Sequence, residues 1–344
     1  MVKAGDTAME RGTLKIFEEI RNIIGNTPLI GIQYKFKGML LKVYAKLEYF
    51  NLTGSIKDRI ALHMLYKAYS EGKLFKGMQL TEATSGNTGI SFAAIGQILG
   101  NSTIIFMPDW MSSERVKLLK SYGADVRLVS RQEGGFIGCI NKCREIASYN
   151  PGIFMTSQFS NPYNTEAHFL TTGPEIVWDM KKHSLVPHAV AAGVGTGGTI
   201  MGIGEYLKSI NHHTAIYAIE PVSSPTLSTG IKTGSHRIQG ISDDFIPDLL
   251  KLDRTNGILS VEDGDAIIMA QKLSSQLGLG VGISSGANLV GAIMAQEKLK
   301  YPSNVVTVFP DDNKKYLSTD LMSTEIVKPG FLSPEVELIS FKRL

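Results

Sequence analysis

Lys57 is the first residue in this sequence whose position indicates chemistry. An apolar stretch at residues 40–47 predicts a strand, and a helical pattern begins near Ile60. Lys57 is therefore predicted at a helix N-terminus beside the carboxyl end of a strand, where open α/β sheets bind ligands. A lysine is unusual there because the helix dipole favours anions. Since most single lysines are solvated surface charges, this one needs support from the rest of the chain.

A glycine-rich turn at residues 193–199 leaves a predicted strand and begins a predicted helix. Glycines let the backbone approach a ligand closely, and the free N–H groups at a helix start suit a phosphate. The turn also fits the dinucleotide pattern G-x-G-x-x-G, and Glu220 follows at the spacing at which an acidic residue contacts a ribose. The turn predicts an anion site, and the interpretations it leaves open are a phosphate, a nicotinamide dinucleotide, or a tight turn without a ligand.

A second polar turn, at residues 84–89, has the same position between a predicted strand and a predicted helix. Its polar side chains are Thr84, Ser85, Asn87 and Thr88. Neutral donors at the positive end of a helix suit a carboxylate. The alternative is a simple helix cap, which needs one such residue where this turn has four.

A third turn, at residues 280–288, places Ser284 and Ser285 at another predicted helix start. Taken alone, the two hydroxyls are best explained as helix caps. A dehydrogenase has no obvious use for Lys57 and all three turns together. A cofactor that carries both a phosphate and an aldehyde does.

The elements that must position these residues alternate between strand and helix. Strands are predicted at residues 40–47, 78–82, 103–107, 126–129, 189–192, 215–220 and 305–309. Helices are predicted at residues 14–24, 57–72, 89–99, 113–122, 136–147, 165–181, 200–210, 263–277 and 287–299. This alternation predicts an α/β fold of parallel sheets with helices on both faces. The stretch at residues 222–250 has no clear period, and the tail at residues 328–344 is predicted to be irregular.

Composition and length exclude several classes of protein. The 344 residues are 43% hydrophobic and 19% charged, with a formal net charge of +3. The length predicts two domains, and the near-neutral charge argues against nucleic acid as a partner. Residues 83–108 carry no charge but contain too many polar residues and breaks for a membrane span. The two cysteines, Cys139 and Cys143, are predicted to be buried free thiols, which suits a reducing cytoplasm.

Residues 19–320 resemble the cysteine synthase family, which includes O-acetylserine sulfhydrylases and the catalytic core of cystathionine β-synthases. The matching motifs are Gly25-Asn26-Thr27-Pro28-Leu29, Ser55-Ile56-Lys57-Asp58-Arg59, Thr84-Ser85-Gly86-Asn87-Thr88-Gly89, Met107-Pro108 with Glu114-Arg115, Gln158-Phe159-Ser160-Asn161-Pro162, Thr171-Thr172-Gly173-Pro174-Glu175, residues 195–199, Ile238-Gln239-Gly240-Ile241, and Tyr316-Leu317-Ser318.

The resemblance implies a tryptophan synthase β-like fold, the fold-type II class of pyridoxal phosphate enzymes. It implies that Lys57 forms the Schiff base with pyridoxal 5′-phosphate, that Asn87 binds its ring oxygen and that Ser284 binds its pyridine nitrogen. The phosphate is expected at Gly195, Thr196, Gly197, Gly198 and Thr199, and the substrate carboxylate at Thr84, Ser85, Thr88 and Gln158. No metal site is expected.

The resemblance also implies a domain division and partners. Residues 12–47 and 162–344 are expected to form the larger, phosphate-binding domain, and residues 48–161 a smaller mobile domain, after a tail at residues 1–11. The implied partners are a small amino acid, sulfide and a second copy in a homodimer. A serine acetyltransferase is a further candidate, because relatives bind its tail in the active-site cleft.

The implied chemistry is β-elimination from a cysteine-type amino acid, giving an enzyme-bound aminoacrylate to which a nucleophile adds. The free amine of Lys57 would move the α-proton. A neutral serine at the pyridine nitrogen favours rapid elimination over a long-lived carbanion.

Two positions depart from the family pattern. Leu52 replaces a usual proline. More informative is Gly240-Ile241-Ser242-Asp243-Asp244-Phe245-Ile246-Pro247, where ordinary sulfhydrylases resemble Gly-Ile-Gly-Ala-Gly-Phe-Ile-Pro. Two carboxylates disfavour the entry of hydrosulfide, which is an anion, and one of them could act as a general base.

The preferred hypothesis is that Asp243 binds at the substrate side and activates water, so that L-cysteine and water give L-serine and hydrogen sulfide. The alternative is an ordinary cysteine synthase with two solvated aspartates. A cystathionine or lanthionine synthase and a nicotinamide dehydrogenase are further alternatives.

Overall fold

The computed structural model describes residues 9–242 and 244–344. Its helices are α1 Arg11–Arg21, α2 Lys57–Ser70, α3 Asn87–Leu99, α4 Ser113–Ser121, α5 Gly135–Tyr149, α6 Tyr163–Ala167, α7 Gly173–Lys182, α8 Gly198–Ile210, α9 Thr226–Thr229, α10 Asp263–Leu277 and α11 Ile283–Leu299. Its strands are β1 Leu29–Phe36, β2 Met39–Leu47, β3 Gln79–Ala83, β4 Thr103–Pro108, β5 Asp125–Val129, β6 Ile153–Met155, β7 Ala189–Gly193, β8 Ala215–Pro221, β9 Gly257–Val261, β10 Val305–Phe309 and β11 Glu337–Arg343.

The larger sheet in the described part of the chain has seven strands, in the order β11-β1-β2-β10-β7-β8-β9. The five strands from β2 to β9 in this order run parallel, and β1 pairs antiparallel with both of its neighbours. Strands β7, β8 and β10 are buried along nearly their whole length, as expected for parallel strands with helices on both faces. Lys37 and Gly38, both with positive φ, form the tight turn between β1 and β2.

The smaller sheet, formed from residues that the structure describes, has four parallel strands in the order β5-β4-β3-β6. Helix α5 packs with β3, β4 and β6, and α3 packs with β3 and β4. The strands of this sheet all lie within residues 48–161, and those of the larger sheet lie within residues 12–47 and 162–344. The division of the chain into two domains, with the smaller one mobile, remains a prediction.

The structure corrects several expectations. The C-terminal tail is not irregular throughout, because it forms β11 at the edge of the larger sheet. Most side chains of β11 are exposed, so its sequence lacks the alternation that marks a half-buried strand. β6 and β9 were not predicted; β6 has only three residues, too few to show a period. The helix expected at residues 165–181 is interrupted by a π-helical turn at His168–Thr172, and α1 begins at Arg11, the last residue of the expected tail.

Cys139 and Cys143 are both buried with free thiols, which confirms the prediction for them. Burial raises the pKa of each thiol to about 12. Among the helices in the described ranges, none is both long and apolar enough to cross a membrane.

Candidate active site

The predicted site residues from both sheets line one cavity, which we call the inner cleft and which holds about 810 Å³ of empty space. It lies where the carboxyl ends of the parallel strands meet, the usual position of ligands in open α/β sheets. The sequence-predicted residues that line it are Lys57, Thr84, Ser85, Asn87, Thr88, Gln158, Gly195, Thr196, Gly197, Thr199 and Ser284. Gly198 is buried at the first position of α8.

Lys57 is the first residue of α2, as predicted, and the turn before it is held from several sides. The backbone N–H of Lys57 donates to Ser55 Oγ at 3.3 Å, and the N–H of Ile56 donates to the carbonyl oxygen of Pro310 at 2.8 Å. The buried carboxylate of Asp58 accepts hydrogen bonds from the N–H and the hydroxyl of Thr53, at 2.7 and 2.6 Å. These contacts fix the start of α2 against the end of β10.

A buried ion-pair network lies behind this turn. The guanidinium of Arg59, which is 2% exposed, contacts both carboxylate oxygens of Glu48 at 2.6 and 2.9 Å and both of Glu175 at 2.7 Å. Lys46 Nζ lies 2.9 Å from Glu175. Burial alone would raise the pKa of Glu48, but Arg59, Lys46 and Thr27 together outweigh burial and lower it. The network ties α2 to β2 and α7.

The turn at residues 84–89 has a backbone that requires glycine at its centre. Gly86 has a φ of +150°, and a Cβ there would lie 2.3 Å from Arg115 Cδ. The hydroxyl of Thr88 donates to Gln158 Oε1 at 2.7 Å, and Gln158 Nε2 donates to the carbonyl oxygen of Ala83 at 2.7 Å. Because the turn also begins α3, its donors can bind a carboxylate.

The turn at residues 193–199 leaves β7 and begins α8. Gly197 has a φ of +84°, and a Cβ on Gly195 would lie 2.6 Å from the carbonyl oxygen of Gly240. Two hydroxyls of the turn are held by residues of α6 and the π-helical turn after it. Thr196 Oγ1 accepts from Asn164 Nδ2 at 3.0 Å, and Thr199 Oγ1 lies 3.2 Å from Nε2 of His168. Burial lowers the pKa of His168, so its imidazole is neutral. The turn can bind an anion at a helix N-terminus.

Asn87 and Ser284 approach the inner cleft from the two sheets. Ser284 is in the first turn of α11, and Asn288 of the same helix accepts the N–H of Gly193 at 2.7 Å. Asn87 Nδ2 donates to Asp311 Oδ2 at 2.7 Å, while its Oδ1 is buried without a partner in the described part of the chain. One cavity is thus lined by a lysine, a turn that can bind an anion, a turn that can bind a carboxylate, and an unpaired amide oxygen. This set fits a cofactor that carries an aldehyde and a phosphate.

The loop that contains the two aspartates leads to a wider cavity, the outer cleft, of about 2020 Å³. Gly240, Ile241, Ser242 and Asp244 line it. Ser242 has a φ of +54°, and its hydroxyl donates to the carbonyl oxygen of Ser224 at 2.9 Å. Asp244 forms an ion pair with Lys232. Asp243 lies outside the described residues.

Several residues in or beside the cleft had no predicted role. Arg115, Gln239 and Tyr316 line it: the Arg115 guanidinium donates to Gln239 Oε1 and lies 4.7 Å from the centre of the Tyr316 ring. All three belong to motifs that carry the family resemblance, so a signal for them was present. Asp311 and Asn164 gave no such signal.

Glu220 does not have the role that a dinucleotide site requires. It is fully buried, and its carboxylate accepts the N–H of Leu227 at 2.8 Å and the hydroxyl of Ser228. The carboxylate therefore holds the start of α9 and is not presented to a ribose.

Comparison with known proteins agrees with this geometry. The pyridoxal-phosphate dependent enzyme family matches residues 20–311. A cysteine synthase of Staphylococcus aureus is 41% identical over 309 residues, which cover 90% of this chain and 98% of the relative. The chain therefore belongs to the cysteine synthase family of pyridoxal-phosphate dependent enzymes, and pyridoxal phosphate is its cofactor.

Several solved structures of the same family resemble this chain along most of its length. A hydrogen sulfide-producing enzyme of Fusobacterium nucleatum is 54% identical, with a TM-score of 0.93, covering 96% of this chain and 100% of that one. An aspartate-to-asparagine variant of the same enzyme is described in complex with an α-aminoacrylate intermediate. A cysteine synthase of Entamoeba histolytica is 35% identical, with a TM-score of 0.81, covering 92% of this chain and 93% of that one. The tryptophan synthase β-like fold is thus confirmed.

Proposed function

We propose that this enzyme converts L-cysteine and water into L-serine and hydrogen sulfide. The bond between the β-carbon and sulfur breaks, and a bond between the β-carbon and a water oxygen forms. The observation that carries the proposal is the position of the loop at residues 240–244, which carries two carboxylates where ordinary sulfhydrylases carry none and whose described residues line the outer cleft next to Lys57's cavity. A carboxylate at this mouth suits water as the nucleophile better than hydrosulfide, since like charges repel.

The site residues divide into those that hold the cofactor and those that hold the substrate. Lys57, Asn87 and Ser284 would bind the cofactor's aldehyde, ring oxygen and ring nitrogen, and the turn at residues 193–199 would bind its phosphate. When bound, pyridoxal phosphate withdraws electrons from the α-carbon of an amino acid and so stabilises negative charge there. The turn at residues 84–89 and Gln158 would orient the substrate by its α-carboxylate.

This chain's own side chains then carry out three proton transfers. Lys57 Nζ takes the proton from the substrate α-carbon and later returns it. Asp243 takes the proton of the attacking water as the oxygen joins the β-carbon. The departing sulfur leaves as hydrosulfide, and the proton that Asp243 releases to solvent balances the one that converts hydrosulfide to hydrogen sulfide in solution.

Asp243 is a better candidate for this base than Asp244. The carboxylate of Asp244 is already engaged in an ion pair with Lys232. The relative from Fusobacterium nucleatum, which is 54% identical to this chain, is itself a hydrogen sulfide-producing enzyme. An aspartate-to-asparagine variant of that relative is in complex with an α-aminoacrylate. A protein that had lost the base for the addition of water would accumulate this intermediate.

The second candidate is an ordinary cysteine synthase, which makes L-cysteine from O-acetylserine and sulfide. The relatives at 41% identity, which bear that name, favour it. In both functions the cofactor and the substrate α-carboxylate bind to the same residues; the functions differ in the leaving group and in the nucleophile. They are separated by the products formed from L-cysteine alone.

The test compares the wild-type holoenzyme with Asp243→Asn and with Asp244→Asn as the matched control. Each protein is incubated with L-cysteine, and sulfide, serine and pyruvate are measured. We expect wild type and Asp244→Asn to release serine and sulfide together, and Asp243→Asn to lose about 100-fold in serine formation, the low end for loss of a general base. An unaffected Asp243→Asn variant, or sulfide accompanied by pyruvate, would overturn the assignment.

The proposal includes a homodimer, because the family resemblance implies one. Binding of a serine acetyltransferase tail is the remaining partner hypothesis. Both are tested by light scattering of the holoenzyme, alone and with a peptide of that tail.

A further inference from the structure

Glu82 is a buried carboxylate that the proposed reaction does not use. It is the penultimate residue of β3 and is 2% exposed. Its Oε1 accepts the N–H of Ala83 at 2.9 Å, and its Oε2 accepts the hydroxyl of Thr156 at 2.5 Å and the N–H of Gln158 at 2.9 Å. The two N–H groups can only donate, and the hydroxyl of Thr156, which also lies 3.3 Å from the carbonyl oxygen of Thr81, can donate to Glu82; the ionised carboxylate therefore accepts from all three.

Gln158 connects Glu82 to both turns of the inner cleft. Its side-chain amide joins the carbonyl oxygen of Ala83 to the hydroxyl of Thr88, each at 2.7 Å. Its own carbonyl oxygen accepts from Asn164 Nδ2 at 2.8 Å, and the same Nδ2 lies 3.0 Å from Thr196 Oγ1. One residue, fixed by Glu82, therefore contacts the carboxylate turn directly and the anion turn through Asn164.

We propose that Glu82 is a positioning residue, which acts through Gln158 to hold the turn at residues 84–89 where it binds the α-carboxylate of the amino-acid substrate. This inference rests on the proposed function, because it takes an amino acid as the ligand of that turn. Without the carboxylate, the N–H of Gln158 and the hydroxyl of Thr156 lose a shared acceptor in a buried site. Gln158 then shifts, and Thr88 loses its partner.

The protonation state of Glu82 gives the proposal a measurable signature. Burial raises the pKa of Glu82 to about 7, against its hydrogen bonds from Thr156, Gln158 and Ala83, which lower it. Protonation turns an accepting oxygen into a donor; the hydroxyl of Thr156 can accept from it by donating instead to the carbonyl oxygen of Thr81, but the N–H of Gln158 is left with a weaker, uncharged acceptor. The amino-acid affinity is therefore expected to fall below pH 7.

The groups packed around Glu82 do not titrate near pH 7. Helix α3 contains no charged residue. Ile105 of β4, paired with Glu82, is apolar, and Thr156 and Gln158 are neutral. The thiol of Cys143 on α5 is uncharged in this range, because burial raises its pKa to about 12. A transition near pH 7 in substrate binding that is absent from Glu82→Gln would thus report on Glu82.

The test measures binding of L-alanine to the holoenzyme, because L-alanine has the α-carboxylate and amine but no group that can leave from its β-carbon. Binding is followed by the change in cofactor absorbance between pH 6 and pH 9. The variants are Glu82→Gln, which keeps the shape and removes the charge, and Thr156→Val, which removes one donor. The matched control is Asp265→Asn, a buried carboxylate that accepts two backbone N–H groups and does not line either cleft.

For Glu82→Gln we expect the dissociation constant of L-alanine to rise about tenfold at pH 8, the effect of leaving one buried donor unpaired. We expect KM for L-cysteine to rise in parallel, kcat to change less, the loss of affinity below pH 7 to disappear, and cofactor content to stay at the wild-type level. Thr156→Val should show a smaller rise in the same direction, and Asp265→Asn none.

Unchanged L-alanine affinity in Glu82→Gln, or a wild-type pH profile in that variant, would overturn the proposal. If Glu82→Gln does not fold, unchanged affinity in Thr156→Val overturns it instead. The proposed function fails separately: wild type would then bind L-alanine but form no serine from L-cysteine. Wild type that does not bind L-alanine overturns both.

Discussion

Asn87 on α3 donates a hydrogen bond of 2.7 Å to Asp311, which follows β10 and lies 224 positions further along the chain. Helix α3 packs on the smaller sheet and β10 belongs to the larger one, so this bond joins the two across the inner cleft. Tyr316 Oη donates to the same Asp311 oxygen, also at 2.7 Å. Asp311 therefore fixes the side chain that we expect to contact the cofactor's ring oxygen.

Asp311→Asn should weaken cofactor binding. The change keeps the side-chain shape but removes the charged acceptor of Asn87 and Tyr316, and hydrogen bonds to charged groups contribute about 1.5–3 kcal/mol. We expect the affinity of the apoenzyme for pyridoxal phosphate to fall about tenfold or more. Fluorescence titration of the apoenzyme measures it, with Asp265→Asn as the control. Wild-type affinity in Asp311→Asn would show that the bond does not orient Asn87 for the cofactor.

Gly195→Ala should also reduce cofactor affinity, for a steric reason. The new Cβ would lie 2.6 Å from the backbone carbonyl oxygen of Gly240, so the anion turn and the loop at residues 240–244 must move apart. Gly12→Ala, in the exposed first turn of α1 with no atom within 4 Å of the new Cβ, is the control. The same titration is expected to show weaker binding for Gly195→Ala alone. Equal affinities for both variants would contradict the close approach.

Arg59→Met should destabilise the protein strongly. It leaves the fully buried carboxylate of Glu48 without its bidentate partner, and breaking a buried ion pair in this way costs about 3–5 kcal/mol. The free energy of unfolding in urea measures the effect. Arg127→Met removes an exposed arginine paired with Asp125 and is expected to cost less than about 1 kcal/mol. Similar costs for the two variants would argue against a structural role for the buried network.

The raised pKa of Glu82 should make the free energy of unfolding depend on pH. Because its pKa is raised by burial from an ordinary value of 4.5 to about 7 in the folded state, its contribution to stability is fully present below pH 4.5 and is lost as pH rises through 7. The free energy of unfolding of wild type minus that of Glu82→Gln should therefore fall by roughly 3 kcal/mol between pH 4.5 and pH 8. Urea unfolding of both proteins across this range measures it. A difference that stays constant with pH would contradict the shifted pKa.

The parts of the site that were predictable from sequence are those whose signal is local. Lys57, the turn at residues 84–89 and the turn at residues 193–199 each join a strand to a helix, and glycine or hydroxyl residues mark the junction. The strand–helix pattern predicted each turn at the carboxyl end of a strand, but β3 and β7 belong to different sheets, so the pattern alone did not predict that the turns would meet.

The residues that were missed act through partners far away in sequence. Glu82 bonds to Thr156, 74 positions on, and Asp311 bonds to Asn87, 224 positions back. A buried aspartate in a loop has no distinguishing pattern until the fold supplies its partner. Strand β11 was missed for a related reason, since its pairing with β1 makes it a strand while most of its side chains stay exposed.

The measurement that tests the central claim most directly is the turnover of L-cysteine by the wild-type holoenzyme in water labelled with oxygen-18. Mass spectrometry of the products follows the label. We predict that serine and sulfide form in equal amounts and that the β-hydroxyl of each new serine carries the labelled oxygen. Sulfide released with pyruvate in place of serine, or no turnover until O-acetylserine and sulfide are supplied, would contradict the proposal that water is the nucleophile.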